Sequence, residues 1–259
     1  TECKVGKPKE LFEWLKNVEQ GTYGKVDYYV ISLDQLLSGG LVGSRAPFGD
    51  SGDTIATPLS SSYNWQKGGY TLSAKEQEII NWIIELCAKE DTHVVLFDTV
   101  MRLASTNQYF GYNMNDYNAL RTYGMKDRVQ FTGNQLTISN ILKNYNYDGS
   151  GNKIATVGDT NTTFGGYTIT TAEFKEYIAS RERKLKLAEA LYPHVKNTAA
   201  KLYIGFDDSN PKVTIQTNEG RFITDKLIYG SENCHLFSGA DELGMMGLAE
   251  IVTSLYGKV

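Results

Sequence analysis

The sequence has 259 residues, 41% hydrophobic and 22% charged, with 26 Lys and Arg against 30 Asp and Glu and a net charge of −4. That composition excludes wholesale disorder. No apolar run approaches the ~18 residues of a membrane-spanning helix, and no basic cluster offers a nucleic acid its phosphate partner. Three cysteines without CxxC spacing exclude a disulfide framework and a cysteine-built zinc site.

Taken in chain order, Leu11, Phe12, Leu15 and Val18 have helical spacing within Lys9–Val18, and Gly21 ends that helix. Lys25–Leu33 is rich in β-branched residues and tyrosine and reads as a buried strand followed by Asp34. A turn-rich run covers Pro47 to Gly69. Ser73 with Glu76 forms a capping box that starts a helix bearing Ile79, Ile80, Ile83, Ile84 and Cys87 on one face. Thr92–Phe97 is the next buried strand and ends in Asp98. From Ala104 to Ile169 the composition shifts to Tyr, Asn, Gly and Thr, which predicts a long polar excursion with local helix and a hairpin, outside the core. Thr170 and Glu173 cap a long helix with an apolar face of Phe174, Ile178, Leu185, Ala188 and Leu191, and with Arg181, Arg183 and Lys184 on its solvated side. Leu202–Phe206 is a third strand, ending in Asp207 and Asp208. After a poorly patterned stretch, Val213–Ile228, come a fourth strand at Cys234–Phe237 and a final helix at Leu243–Leu255.

Strands alternating with helices imply parallel pairing through right-handed crossovers, with both sheet faces covered. The predicted fold is a single α/β domain with a mostly parallel, open, doubly wound sheet; an incomplete β/α barrel is the second choice. Each strand runs into acid: Asp34, Asp98, Asp207-Asp208, and Asp241-Glu242 after a short loop. Ligands in such folds bind beyond the carboxyl ends of the strands, so these acids gather on one edge. Asp34 and Asp241 have a competing reading as helix N-caps, because Asp favours that position. Arg45 and Arg102 are forks for a carboxylate or phosphate, or else ion-pair partners of the same aspartates. Asn144–Asn152 imitates a calcium loop in part, but Ala155 stands where the bidentate Glu belongs, so a polar turn is the preferred reading. No GxSxG, P-loop or GxGxxG is present.

Four blocks in order carry a resemblance: Val26–Arg45 (VDYYVISLDQLLSGGLVGSR), Thr99–Leu103 (TVMRL), Leu202–Pro211 (LYIGFDDSNP) and His235–Leu243 (HLFSGADEL). The chain resembles the bacterial family filed as Domain of Unknown Function 4127. The resemblance implies an incomplete piece, lacking the family's first strand and the region beyond the last block. Asp34, Arg45, Arg102, Asp207, Asp208, Asp241 and Glu242 match its motifs. At the family's Arg-x-x-Asn-His pattern Arg181 is kept, but Lys184 and Leu185 replace the Asn-His pair. The resemblance brings no established reaction with it.

Clustered carboxylates without a nucleophilic Ser or Cys motif predict a carbohydrate-active hydrolase. Asp208 and Glu242 are the acid and base, Asp207 orients them, and Asp34, Arg45, Arg102 and Asp241 hold substrate. Two alternatives stand beside it. The same acids bind a divalent cation in a metal-dependent hydrolase, whereas the first reading needs no cofactor. Or the chain is a non-catalytic sugar- or protein-binding module of the cell envelope, its 17 tyrosines offering an apolar face and a hydroxyl.

Overall fold

The computed structural model describes residues 6–48, 53–104, 113–154, 161–207 and 212–257. Four parallel strands, β1 (Tyr28–Ser32), β2 (His93–Val100), β5 (Lys201–Phe206) and β6 (Cys234–Ser238), form one open sheet in the order β1-β2-β5-β6. The remaining strands, β3 (Thr162–Phe164) and β4 (Tyr167–Ile169), make a separate antiparallel hairpin. The helices are α1 (Pro8–Glu19), α2 (Leu33–Ser38), α3 (Ala74–Cys87), α4 (Met114–Gly124), α5 (Ile138–Asn144), α6 (Thr171–Val195), α7 (Ile215–Phe222) and α8 (Leu243–Tyr256). The predicted open α/β sheet with helices on both faces is what forms, and it does not close into a barrel.

Alternation along the strands sorts the two faces. Val94 and Leu96 of β2, with Leu202 and Ile204 of β5, join the main core, which also holds Ile79, Ile80 and Ile83 of α3 and Leu185 and Leu191 of α6. Val95 and Tyr203 point the other way and pack with Phe97, Phe237, Leu243 and Met246, so α8 covers the opposite face. The outer side of α8 is apolar and exposed at Met245, Leu248, Val252, Leu255 and Tyr256.

The capping boxes at Ser73/Glu76 and Thr170/Glu173 form as read from the sequence. Two expectations fail for physical reasons, and one stretch without a predicted element folds. The 104–169 excursion is not outside the core: Leu120, Tyr123, Ile141, Tyr145, Phe164 and Ile169 are buried in it. Two of its tyrosines enter because the hydroxyl finds an acceptor, Tyr123 on the Tyr145 carbonyl (2.5 Å) and Tyr145 on Glu219 (2.6 Å). The unpatterned stretch Val213–Ile228 contains α7 followed by a π-helical turn, Ile223–Leu227. Its polar residues Gln216, Asn218 and Glu219 are buried and hydrogen-bonded, so no apolar periodicity shows. Lastly, Arg181, Arg183 and Lys184 are not solvated; Arg181 and Arg183 have no exposed side-chain surface at all.

Candidate functional site

Strand register builds the carboxyl edge. Ser32, the last residue of β1, pairs with Phe97, while β2 continues to Val100 beside Phe206 of β5. The chain leaving β1 therefore folds into a step left by the longer strands. Ser32 caps α2 there, its hydroxyl accepting from Gln35 N (3.1 Å). Asp34 is thus not the cap; it lies in the first turn of α2, buried, with Oδ2 accepting from the Thr99 hydroxyl (2.7 Å) and Oδ1 from Lys184 (2.7 Å). Asp98 sits within β2 rather than after it. It accepts from Lys184, from Tyr192 OH (2.6 Å) and from Thr99 N (2.9 Å).

Lys184 is one of four consecutive charged residues on α6. At about 100° per residue they point in four directions, and each finds its own set of partners. Arg181 makes a two-pronged contact with Glu219 of α7 (2.8 and 3.0 Å) and donates to the carbonyl of Arg102 (2.5 Å). Glu182 accepts from Tyr63 OH (2.6 Å), Gly69 N (3.0 Å) and Tyr70 N (3.1 Å). Arg183 meets Glu76 of α3 (2.6 Å), the Ser38 hydroxyl (2.8 Å) and the Leu37 carbonyl (2.7 Å). α6 is therefore enclosed on every side at its middle.

Burial sets the electrostatics of this layer. Desolvation pushes the Asp98 carboxyl up, and the nearby Asp34 charge adds to that, while the Lys184 ammonium opposes it. Burial alone would lower Lys184, yet the Asp34 and Asp98 charges outweigh it and hold the ammonium above its usual range. These two directions conflict as a simple pair. They agree once two carboxylates share one ammonium: the lysine stays charged while burial still raises the Asp98 carboxyl. Glu219 is also raised by burial, with Arg181 opposing it. Asp98 and Glu219 line one small cavity with Arg181, Lys184 and Tyr192, which has room for about one water molecule.

Nearer solvent, Asp207 at the end of β5 is clamped by two arginines. Its Oδ2 lies 3.0 Å from Arg102 Nε and 3.3 Å from Arg45 NH2. Arg45 is buried at the end of the 3-10 turn Gly43–Arg45, whereas Arg102 and Asp207 are each about a quarter exposed. Gln216, fully buried on α7, donates to the carbonyls of Met101 and Asp207 (both 2.8 Å) and ties these two strand ends together.

The loop after β6 brings the last acids to the same edge. Gly239 N donates to the Phe206 carbonyl (3.1 Å), one residue before Asp207. Gly205 permits this approach, because a Cβ there would lie 2.6 Å from the Gly239 carbonyl oxygen. Glu242 is exposed and occupies the N-cap position of α8, with no side-chain cap bond. Asp241, also exposed, is therefore not the cap either.

Of the residues singled out from sequence, the structure joins Arg45, Arg102 and Asp207 in one ion cluster and sets Asp241 and Glu242 on the adjoining loop. It draws Asp34 into the buried layer, bonded through both oxygens inside the protein. Asp208 lies outside the described residues. Among the described residues no three His, Cys, Asp or Glu side chains gather closely enough to hold a metal ion. Asp148 accepts from Ser150 N (2.9 Å) and Asn152 N (2.8 Å), the polar turn expected there. Lys184, Glu182, Glu219 and Gln216 were missed, since nothing local in sequence marks a charge whose partners lie on other elements. No protein-family model matches the chain, and neither a curated protein nor a solved structure is significantly similar to it.

Proposed function

We propose that the chain acts on carbohydrate as a hydrolase at the carboxyl edge of its parallel sheet. The observation that carries this reading is the Asp207 clamp beside the Glu242 loop: adjacent strand ends deliver a positioned carboxylate and an exposed one to the same surface. In this reading Glu242 exchanges a proton with the glycosidic oxygen or with water. Asp208 is its partner acid. Asp207, tied to Arg45 and Arg102, orients those guanidinium groups toward substrate hydroxyls. Asp34 and Asp98, each bonded to Lys184, keep the layer beneath rigid. The matching motif blocks supply Arg45, Arg102, Asp207 and Glu242, so membership of Domain of Unknown Function 4127 belongs to the same proposal.

The sugar-binding alternative has its own support: Asp34, Asp98 and Asp207 each carry a cationic partner, which favours holding a ligand over moving protons. A panel of chromogenic glycosides, including amino sugars of cell walls, separates the two. Turnover by the wild type that falls at least a hundredfold in Glu242→Gln supports the hydrolase. A folded wild-type protein that turns over none of the panel overturns it.

A further inference from the structure

The loop segment Thr57–Thr71 before α3 forms a half-open cavity of about 270 Å³ that shares no lining residue with the Asp207 clamp. Thr57, Ser60, Ser62 and Asn64 give it hydroxyl and carboxamide groups, and Pro58 and Leu59 give it apolar wall. Among the described residues, none that lines it is charged. We propose that this cavity binds one neutral sugar ring or a polyol of similar size. The proposal stands apart from the hydrolase reading.

Two arguments lead there. The first is the effort with which the loop is shaped. Glu182, buried at the centre of α6, bonds to Tyr63, Gly69 and Tyr70, and Lys186 pairs with it at 3.2 Å. Gly68 has φ +76°, and a Cβ there would strike Leu142 at 2.5 Å and Glu182 at 2.7 Å. Tyr70 OH contacts Glu76 (2.8 Å) and also receives Thr57 N (3.0 Å). Burying a carboxylate carries a desolvation cost that apolar packing would avoid. Here the buried carboxylate fixes a turn in one conformation, which is preorganisation: a ligand binding to it loses little to loop ordering.

The second argument is chemical. A wall without charge gives an ionic ligand no counter-ion, so desolvating such a ligand goes uncompensated. The Thr57 hydroxyl donates to the Thr71 carbonyl (2.7 Å), Ser60 and Ser62 bond to each other (2.8 Å), and the Asn64 carboxamide oxygen accepts from Gln66 N and Lys67 N, so ring hydroxyls would meet their remaining lone pairs and the Asn64 amide N–H, directly or through water. Apolar wall and tyrosine edges meet the C–H face of a ring. The volume falls just below the ~300–1,000 Å³ of drug-sized sites, which fits a single ring rather than an extended chain.

Titration calorimetry and ligand-observed NMR of the full chain with methyl glycosides of neutral hexoses, and with gluconate as the charged control, test it. The expected result is millimolar binding of a neutral glycoside, weakened at least tenfold in Ser62→Trp, which fills the exposed mouth. Tyr63→Phe, checked by circular dichroism for an intact fold, should weaken binding severalfold by loosening the floor. Absence of millimolar binding by the wild type, equal binding of gluconate, or binding insensitive to Ser62→Trp overturns the proposal. Glycoside turnover without Ser62-sensitive binding leaves the hydrolase reading standing alone, and Ser62-sensitive binding without turnover leaves this one.

Discussion

Lys184 and Asp34 stand 150 positions apart in the chain and 2.7 Å apart in space. The contact joins the middle of the longest helix to the first turn after β1. The same ammonium also reaches Asp98 in β2. One cation thus ties the start of α2 to β2 at fixed separation beneath the carboxyl edge of the sheet.

Sharing one ammonium between two carboxylates has a pH signature. The Asp98 carboxyl is raised in the folded protein by burial and by Asp34. A raised group contributes stability that is complete below its unfolded value, about 3.9, and is lost as pH rises through its folded value. Asp98→Asn resembles the protonated wild type and lacks that loss. Urea unfolding at intervals from pH 4 to pH 7 should show the variant gaining stability relative to wild type as pH rises. A relative decline would mean that the Asp98 charge is net favourable and that the shared-ammonium account is wrong.

The Arg183–Glu76 contact has no exposed side-chain surface on either partner. Removing one member leaves a buried charge, at a cost of about 3–5 kcal/mol. Arg183→Met should lose that much in denaturant unfolding. The double variant Arg183→Met/Glu76→Gln should lose clearly less than the sum of the two single variants. Additive losses would mean that the two groups do not depend on each other.

Tyr192→Phe deletes one hydroxyl that donates to Asp98 at 2.6 Å. A hydrogen bond to a charged group contributes about 1.5–3 kcal/mol. The expected loss of stability falls in that range, with the secondary structure unchanged by circular dichroism. A neutral result would indicate that water replaces the hydroxyl in the neighbouring cavity.

Asp241 and Glu242 are both exposed, and neither caps α8 through its side chain. Asp241→Ala should therefore change stability by less than about 0.5 kcal/mol, the usual range for surface substitutions away from special features. A loss near 1 kcal/mol is what a true N-cap would give. Melting curves of Asp241→Ala and Asp241→Asn decide between these outcomes.

The sheet was legible because buried parallel strands read as apolar runs: VVLF in β2 and LYIGF in β5 stand out from their surroundings. Helices α3 and α6 announced themselves through Ser-x-x-Glu and Thr-x-x-Glu. Helix α7 did not, because Gln216, Asn218 and Glu219 are buried by hydrogen bonding rather than by apolarity. The ion pairs of Asp207 with Arg45 and Arg102 were one of two readings open for those arginines. The buried run Arg181–Lys184 looked like an ordinary polar helix face, since its partners Glu219, Tyr63, Glu76 and Asp34 are dispersed through the chain.

The enclosure of α6 has a consequence for how the protein comes apart. Its four central charges keep all their partners only when α2, α3, β2, α7 and the 63–70 loop are in place. A partly unfolded form that released α3 or α7 would leave Arg183 or Arg181 without its carboxylate against an apolar interior, at several kcal/mol. Such forms are sparsely populated for that reason, and the sheet and its crossover helices should exchange their amide hydrogens as one cooperative unit. The same contacts join residues far apart in sequence, so that cooperativity comes with a slow approach to the native state.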